Sequence, residues 1–245
     1  MKEAAFRYLS QDVLKNIDML EILHIPSAEV LRAGDFGVLL RYGDLYLLSC
    51  QEGASAAFLP AMTQDIASNP QPMIILHGQE LLGVLRRDYR FRSVMDCCHA
   101  VYQKSAPIPC PLPQNVKIRR LDSSHLAFVH AHYHTVDDVG YLSERIGAGM
   151  FGVFVEGRIV GFAGTHDERS MGLLEILPEY RRLGLAYALE AHIINDLLSR
   201  SRTPFCQVSI RNEPSLALQR KLGLTISGSV VHWLARERVH EQERR

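Results

Sequence analysis

Residues 173–193 read LLEILPEYRRLGLAYALEAHI, and their order says more about this chain than any other stretch. An apolar strand, Met171–Leu177, leads through Pro178 into Arg181, Arg182, Leu183, Gly184, Leu185 and Ala186, and on into a long helix expected over Arg182–Arg200. Leu185, Leu189, Ile193 and Leu197 recur at four-residue spacing and give that helix one apolar face. Amides in the first turn of a helix lack intrahelical partners and sit at the positive end of its dipole, so a strand-to-helix turn is a ready anion site. Gly184 costs about 1 kcal/mol of helix propensity relative to alanine. Its missing side chain would let a pyrophosphate approach the backbone, and small Ala186 acts in the same sense.

Outward from that segment, patterning gives a strand over Val116–Leu121, a helix over Ser123–His134 capped by Asp122, and a short helix over Gly140–Ile146. Strands follow over Met150–Glu156 and Arg158–Thr165, joined by a tight hairpin at Gly157. Beyond the long helix come a strand at Phe205–Ile210, a helix at Pro214–Leu222 and a β segment around Ile226–Trp233.

The segment SAPIPCPLPQ, residues 105–114, holds four prolines and reads as an extended connector. It divides the chain into residues 1–104 and 115–245. The first part is a mixed α/β unit without a chemical motif. Strands are expected in 36–50, 72–76 and 90–103, with helices over 54–66 and 79–87.

Composition bounds the partners. The 245 residues carry 27 basic and 27 acidic side chains, and 47% are hydrophobic, which describes a folded globular chain. Dividing the chain at Cys110 leaves minus two on one side and plus two on the other, so neither half offers the basic excess that a nucleic acid or an anionic membrane attracts. The N-terminus lacks a secretory apolar core and no apolar run approaches a bilayer span, so a cytoplasmic location is expected. The cysteines, at 50, 97, 98, 110 and 206, are odd in number and irregularly spaced, as suits reduced thiols.

Arg181, Gly184 and Ala186 fit the pattern Gln/Arg-x-x-Gly-x-Gly/Ala, and the segment resembles the acyl-CoA-binding motif of the GCN5-related N-acetyltransferase (GNAT) superfamily. Asn212, followed by SLALQRKLGL at 215–224, resembles the second signature of that superfamily. The wording LPEYRRLGL, with a hydrophobic hairpin before it and Trp233 after it, is most similar to the glycine N-acyltransferase-like, FR47-like branch, which also has a related, motif-less N-terminal half. The resemblance covers residues 115–235 and is weak over 1–104. It implies an α/β (α+β) GNAT fold: a mixed, mostly antiparallel twisted sheet flanked by helices. It also implies acetyl-CoA or another acyl-CoA as co-substrate, held by Ile176, Leu177, Arg181, Arg182, Leu183, Gly184, Leu185, Ala186 and Asn212, and no metal.

The reaction implied by the resemblance is direct attack of an amine on the thioester carbon, the oxyanion held by a strand amide and the thiolate leaving. An amine is mostly protonated near pH 7, so a base must take its proton. Glu175, Glu168 and His166 are the candidates. Strand alternation puts Glu175 on one face with Leu173 and Leu177, where burial would raise its pKa; the alternative is that it meets solvent or a nearby arginine. Two departures stand out. Ser170 occupies the position where the glycine N-acyltransferases place a glutamate base, and Gln219 stands where many superfamily members carry a tyrosine acid.

His130 and His134 share a helix face at four-residue spacing, but no cysteine or acidic ligand set accompanies them, so no metal is expected. In the superfamily the first helix and the loop after it border the acceptor, which nominates His134, Thr135 and Asp137. The expected function is acyl transfer from acyl-CoA to a small-molecule amine or amino acid. A non-catalytic acyl-CoA sensor and a protein N-acetyltransferase are the competing readings.

Overall fold

The computed structural model describes residues 1–236. The elements begin with α1 (Lys2–Leu9), α2 (Val13–Leu23), β1 (Glu29–Gly34), β2 (Gly37–Tyr42), β3 (Leu45–Cys50), α3 (Leu59–Ile66), β4 (Met73–Leu76), α4 (Leu82–Tyr89) and β5 (Phe91–Val101). They continue with β6 (Val116–Arg120), α5 (Leu126–His132), α6 (Val139–Gly149), β7 (Phe151–Val155), β8 (Arg158–Thr165), β9 (Met171–Ile176) and α7 (Leu185–Ser199). Last come β10 (Phe205–Ser209), α8 (Glu213–Leu222), β11 (Thr225–Ile226) and β12 (Val231–Arg236). The architecture is mixed α/β, with mostly antiparallel strand pairing flanked by helices. Among the described residues no helix is long and apolar enough to cross a membrane.

The chain forms two compact units. The first holds Met1–His99, Val208–Glu213 and Ile226 onward; the second holds Ala100–Gln207 and Pro214–Thr225. This differs from a simple division at the proline-rich segment. The terminal strand β12 groups with the first unit because it pairs antiparallel with both β4 and β5, setting Leu234 opposite Ile74 on one side and Ser93 on the other.

Within the first unit the strand order is β1-β2-β3-β4-β12-β5. β1, β2 and β3 form an antiparallel meander, and α3 then crosses over so that β4 lies parallel to β3, from Leu45 opposite Met73 to Leu48 opposite Leu76. Alternation sorts the strand residues between two cores. Val38, Leu40, Leu47 and Ile75 pack against α1 and α2, while Leu39, Leu48, Ile74 and Leu76 pack against α3 and α4.

Within the second unit the order is β10-β9-β8-β7-β6. The β7–β8 hairpin turns through Glu156 and Gly157, both at positive φ, as a tight two-residue turn requires. Leu121, Val129, Leu142, Ile146, Phe162 and Leu173 form the core beneath α5 and α6. Leu185, Leu189, Ile193 and Leu197 of α7 are all buried, as their spacing predicts. The Asp122 cap is also present, its side chain accepting from Ser124 N. The proline-rich segment is no loose tether: Asn195 of α7 clamps the Ile108 backbone on both sides, accepting from its N–H at 2.7 Å and donating to its carbonyl at 2.9 Å.

Candidate acyl-transfer site

The helix α7 starts at Leu185 rather than Arg182. A short 3-10 turn, Pro178–Tyr180, precedes it, and both Arg182 (φ +65°) and Gly184 (φ +79°) adopt left-handed conformations that delay the helix. Gly184 is therefore needed for its backbone as well as its missing side chain. A Cβ built there meets no atom within 4 Å, so the space in front of the turn is open. No side chain caps the helix, and Arg182, Leu183 and Gly184 are exposed. Ile176 and Leu177 belong to the frame of the turn: Leu177 N donates to Val160 O, and Ile176 O accepts from Arg181 Nε, both at 2.9 Å. Arg181 also pairs with Glu175 at 2.8 Å, so this arginine braces the turn and Arg182 presents the open charge.

The strand β9 feeding this turn is irregular. Glu175 faces Phe162 and Gly172 faces Gly164 across β8, so Leu173 and Leu174 together oppose one residue, with Leu173 at φ +52°. This bulge breaks the alternation on which burial of Glu175 depended. Glu175 is half-buried and held in its ion pair with Arg181, the alternative reading of that carboxylate. On its other edge β9 runs parallel to β10 with only Met171 opposite Cys206 in register.

The buried carboxyl group lies at the β8–β9 turn. Glu168 accepts a 2.6 Å hydrogen bond from Ser170 Oγ and is 7% exposed; burial pushes its pKa up to about 8 against the opposing effect of that bond. The position where the family resemblance calls for a carboxylate, Ser170, is thus in direct contact with one supplied two residues earlier. Beside it, burial lowers His166 to about 4 and keeps the imidazole neutral. Its Nδ1 lies 2.7 Å from the Tyr141 hydroxyl, whose pKa burial and the charges of Glu168 and Asp167 raise, so the phenol keeps its proton and donates. The ring lies so close to β9 that a Cβ at Gly172 would come within 2.5 Å of Nε2. Tyr133 is raised by burial against the opposing effect of its hydrogen bond with Thr135, with smaller upward contributions from the charges of Glu175 and Glu168.

Of the acceptor candidates, Thr135 touches this cluster through Tyr133, His134 is exposed, and exposed Asp137 instead meets His130 at 2.9 Å. Among the described residues no group of three or more His, Cys, Asp or Glu side chains could hold a metal. Gln219 is buried and its amide donates to Glu190 of α7 at 2.8 Å, a carboxyl that burial pushes up to about 7. Asn212 is exposed and belongs to the first unit, whereas the Arg181–Ala186 turn belongs to the second. Sequence reasoning passed over Tyr133, Tyr141 and Glu190. For Glu168 the signal was present in the Glu-x-Ser spacing at a hairpin turn, where a hydroxyl can reach back to a carboxylate.

Residues 151–234, spanning this turn, β9, α7 and α8, match the family model of FR47-like proteins. A GCN5-related N-acetyltransferase from Kribbella flavida is similar in structure, with a TM-score of 0.62 at 13% identity over 94% of this chain and 97% of its own. The chain has a GNAT fold with an FR47-like segment. A Drosophila protein superposes with a TM-score of 0.67 at 19% identity over 82% of this chain and 74% of its own. A tandem GNAT protein from the clavulanic acid biosynthesis pathway gives 0.52 at 12% identity, covering 96% and 95%. No curated protein matches by sequence.

Proposed function

We propose that this protein transfers an acyl group from acetyl-CoA or another acyl-CoA to the amine of a small molecule or amino acid, with Glu168 taking the amine proton. The observation that carries the reading is the Glu168 carboxyl, buried and held at Ser170 in the unit that also presents the open α7 turn. The residues there suit the co-substrate. Uncapped amides of a 15-residue helix and exposed Arg182 meet diphosphate charge, and the open space at Gly184 admits it.

Acyl-CoA supplies the thioester, and the chain supplies position and proton transfer. A carboxylate with a pKa near 8 is a stronger base than an ordinary glutamate, so once ionised it takes a proton from an ammonium group more readily. Ser170 holds it in place. His166, neutral and fixed by Tyr141, orders the same turn without itself carrying charge. Gln219 has no proton to give and its amide donates to Glu190, but a thiol titrates at about 8.5, so a CoA thiolate can leave without an obligatory acid.

Thiol release from acetyl-CoA, measured with the full chain across a panel of amines and amino acids, tests the proposal. Amine-dependent release is expected. Binding of acetyl-CoA with no release for any amine would overturn it in favour of an acyl-CoA sensor.

A further inference from the structure

A cavity of about 160 Å³ opens in the second unit where α6 and α7 end beside the β8–β9 turn. Four arginines line it, from three parts of the chain: Arg145 from α6, Arg169 from the turn, and Arg200 and Arg202 from the segment just past α7. The opposing charge comes from Asp167 and Asp196.

Part of this basic lining has an internal explanation. Cations suit the negative ends of two helices, Arg200 pairs with Asp196 at 2.8 Å, and Arg202 donates to the Arg169 carbonyl at 3.1 Å. Arg145 is different. Its guanidinium lies over the Tyr141 ring, 5.5 Å from the centroid, and its Nε is buried with no hydrogen-bond partner. A buried guanidinium N–H without an acceptor is costly, and nothing in the surrounding fold supplies one. A planar fork of donors in the lining of a small polar cavity, with net positive charge around it, matches an oxyanion.

We propose that this cavity binds the oxyanion group of a small molecule, a phosphate or a carboxylate, with Arg145 as its principal partner and Arg169, Arg200 and Arg202 supplying the surrounding charge. The site is separate from the α7 N-terminal turn, because its α7 residues, Ile193 to Leu197, lie in the last turns of that helix. It does not depend on the proposed transfer reaction.

Calorimetric titration of inorganic phosphate and of acetate into the full chain tests it, with Arg145→Gln, Arg145→Lys and Leu183→Glu alongside the parent. A saturable site that responds to the Arg145 variants is expected for at least one of the two anions, whether or not the α7 turn takes up phosphate as well. Arg145→Gln should weaken it by about tenfold or more, and Leu183→Glu, which acts at the opposite end of α7, should leave it unchanged. Arg145→Lys keeps the charge but loses the fork. It should also weaken binding, and it serves as the reading if Arg145→Gln does not fold. The proposal fails if neither anion binds saturably, or if binding survives both Arg145 variants unchanged; loss in Leu183→Glu would then assign the binding to the α7 turn.

Discussion

Each unit contains the same sequence of events: an antiparallel meander, a strand that ends it, a helix crossing over, and a parallel strand beside the first. In the first unit this is β3–α3–β4 and in the second β9–α7–β10. The two differ at the turn leading to the helix. In the first unit a carboxylate lies on the connection that precedes α3: Glu80 accepts from Gly53 N at 2.5 Å and from Ser55. In the second unit no side chain does so, Gly184 opens the approach, and the parallel pairing shrinks from four residue pairs to one. The connections thus differ in whether a carboxylate of the chain sits on the segment before the helix, although neither helix has a side-chain cap.

The largest expected effect removes the proposed base from the second unit. Glu168→Gln should lower kcat for amine acylation by on the order of 10²-fold or more, the usual contribution of a positioned base. In the parent, activity should climb as pH rises through about 8, as Glu168 ionises. Ionisation of the amine also raises the rate, but that part persists in the variant, so the difference between the two profiles isolates Glu168. Stability moves the opposite way. A carboxyl with a folded pKa above its unfolded value contributes fully below the unfolded value, and that contribution is lost as pH rises through about 8. Glu168→Gln should therefore flatten the fall in Tm between about pH 5 and 8. A parental rate and pH profile in this variant would remove Glu168 from the mechanism.

A smaller effect comes from making the second unit imitate the first. Leu183 is 66% exposed in the α7 turn, so a carboxylate there disturbs no core. Leu183→Glu offers the α7 amides an internal anion, as Glu80 offers one to Gly53 and Ser55, and should weaken acyl-CoA binding by about tenfold with little change in Tm. Unchanged affinity by calorimetry would show that the α7 amides do not meet the co-substrate.

The α7 turn was legible because it is local. Strand, proline, paired arginines, glycine and four-residue leucine spacing lie within about one helix length, and each acts on its neighbours. The bulge at Leu173 was not, since it arises from the register of β9 against β8, and with it went the expected burial of Glu175. The setting of Glu168 was only half legible. Ser170 is two residues away, but the tyrosines that complete the cluster come from α6 and from the end of α5, some thirty residues earlier in the chain. In the first unit α2 escaped notice for another reason: residues 16–23 are buried on every side, including Asn16, Asp18 and Glu21, so no amphipathic period marks it. Asp18 is accommodated there by His77 and His99, whose charge and hydrogen bonds hold its pKa far below the carboxylate range, a pairing that only the fold brings together.

The smallest expected effect empties the turn of the first unit. Glu80→Ala removes the carboxylate from Gly53 and Ser55, leaving the turn before α3 without its internal anion. Glu80 is exposed, so solvent can take over the amides it leaves, and only a slight fall in Tm near pH 7 is expected. The pH dependence identifies the cause. Hydrogen bonds from Ser55 and Gly53 lower the Glu80 pKa, so its contribution is present above the usual carboxylate range and is lost as pH falls through the lowered value. The Tm curves of Glu80→Ala and the parent should therefore converge in acid and separate as pH rises past about 4. Acyl-CoA affinity should not rise, because the first unit has neither an uncapped glycine leading directly into its helix nor a parallel pair reduced to a single contact. Stronger binding in this variant would mean that the occupied turn was the only difference that mattered between the two units, and that the geometry of β9 and Gly184 was incidental.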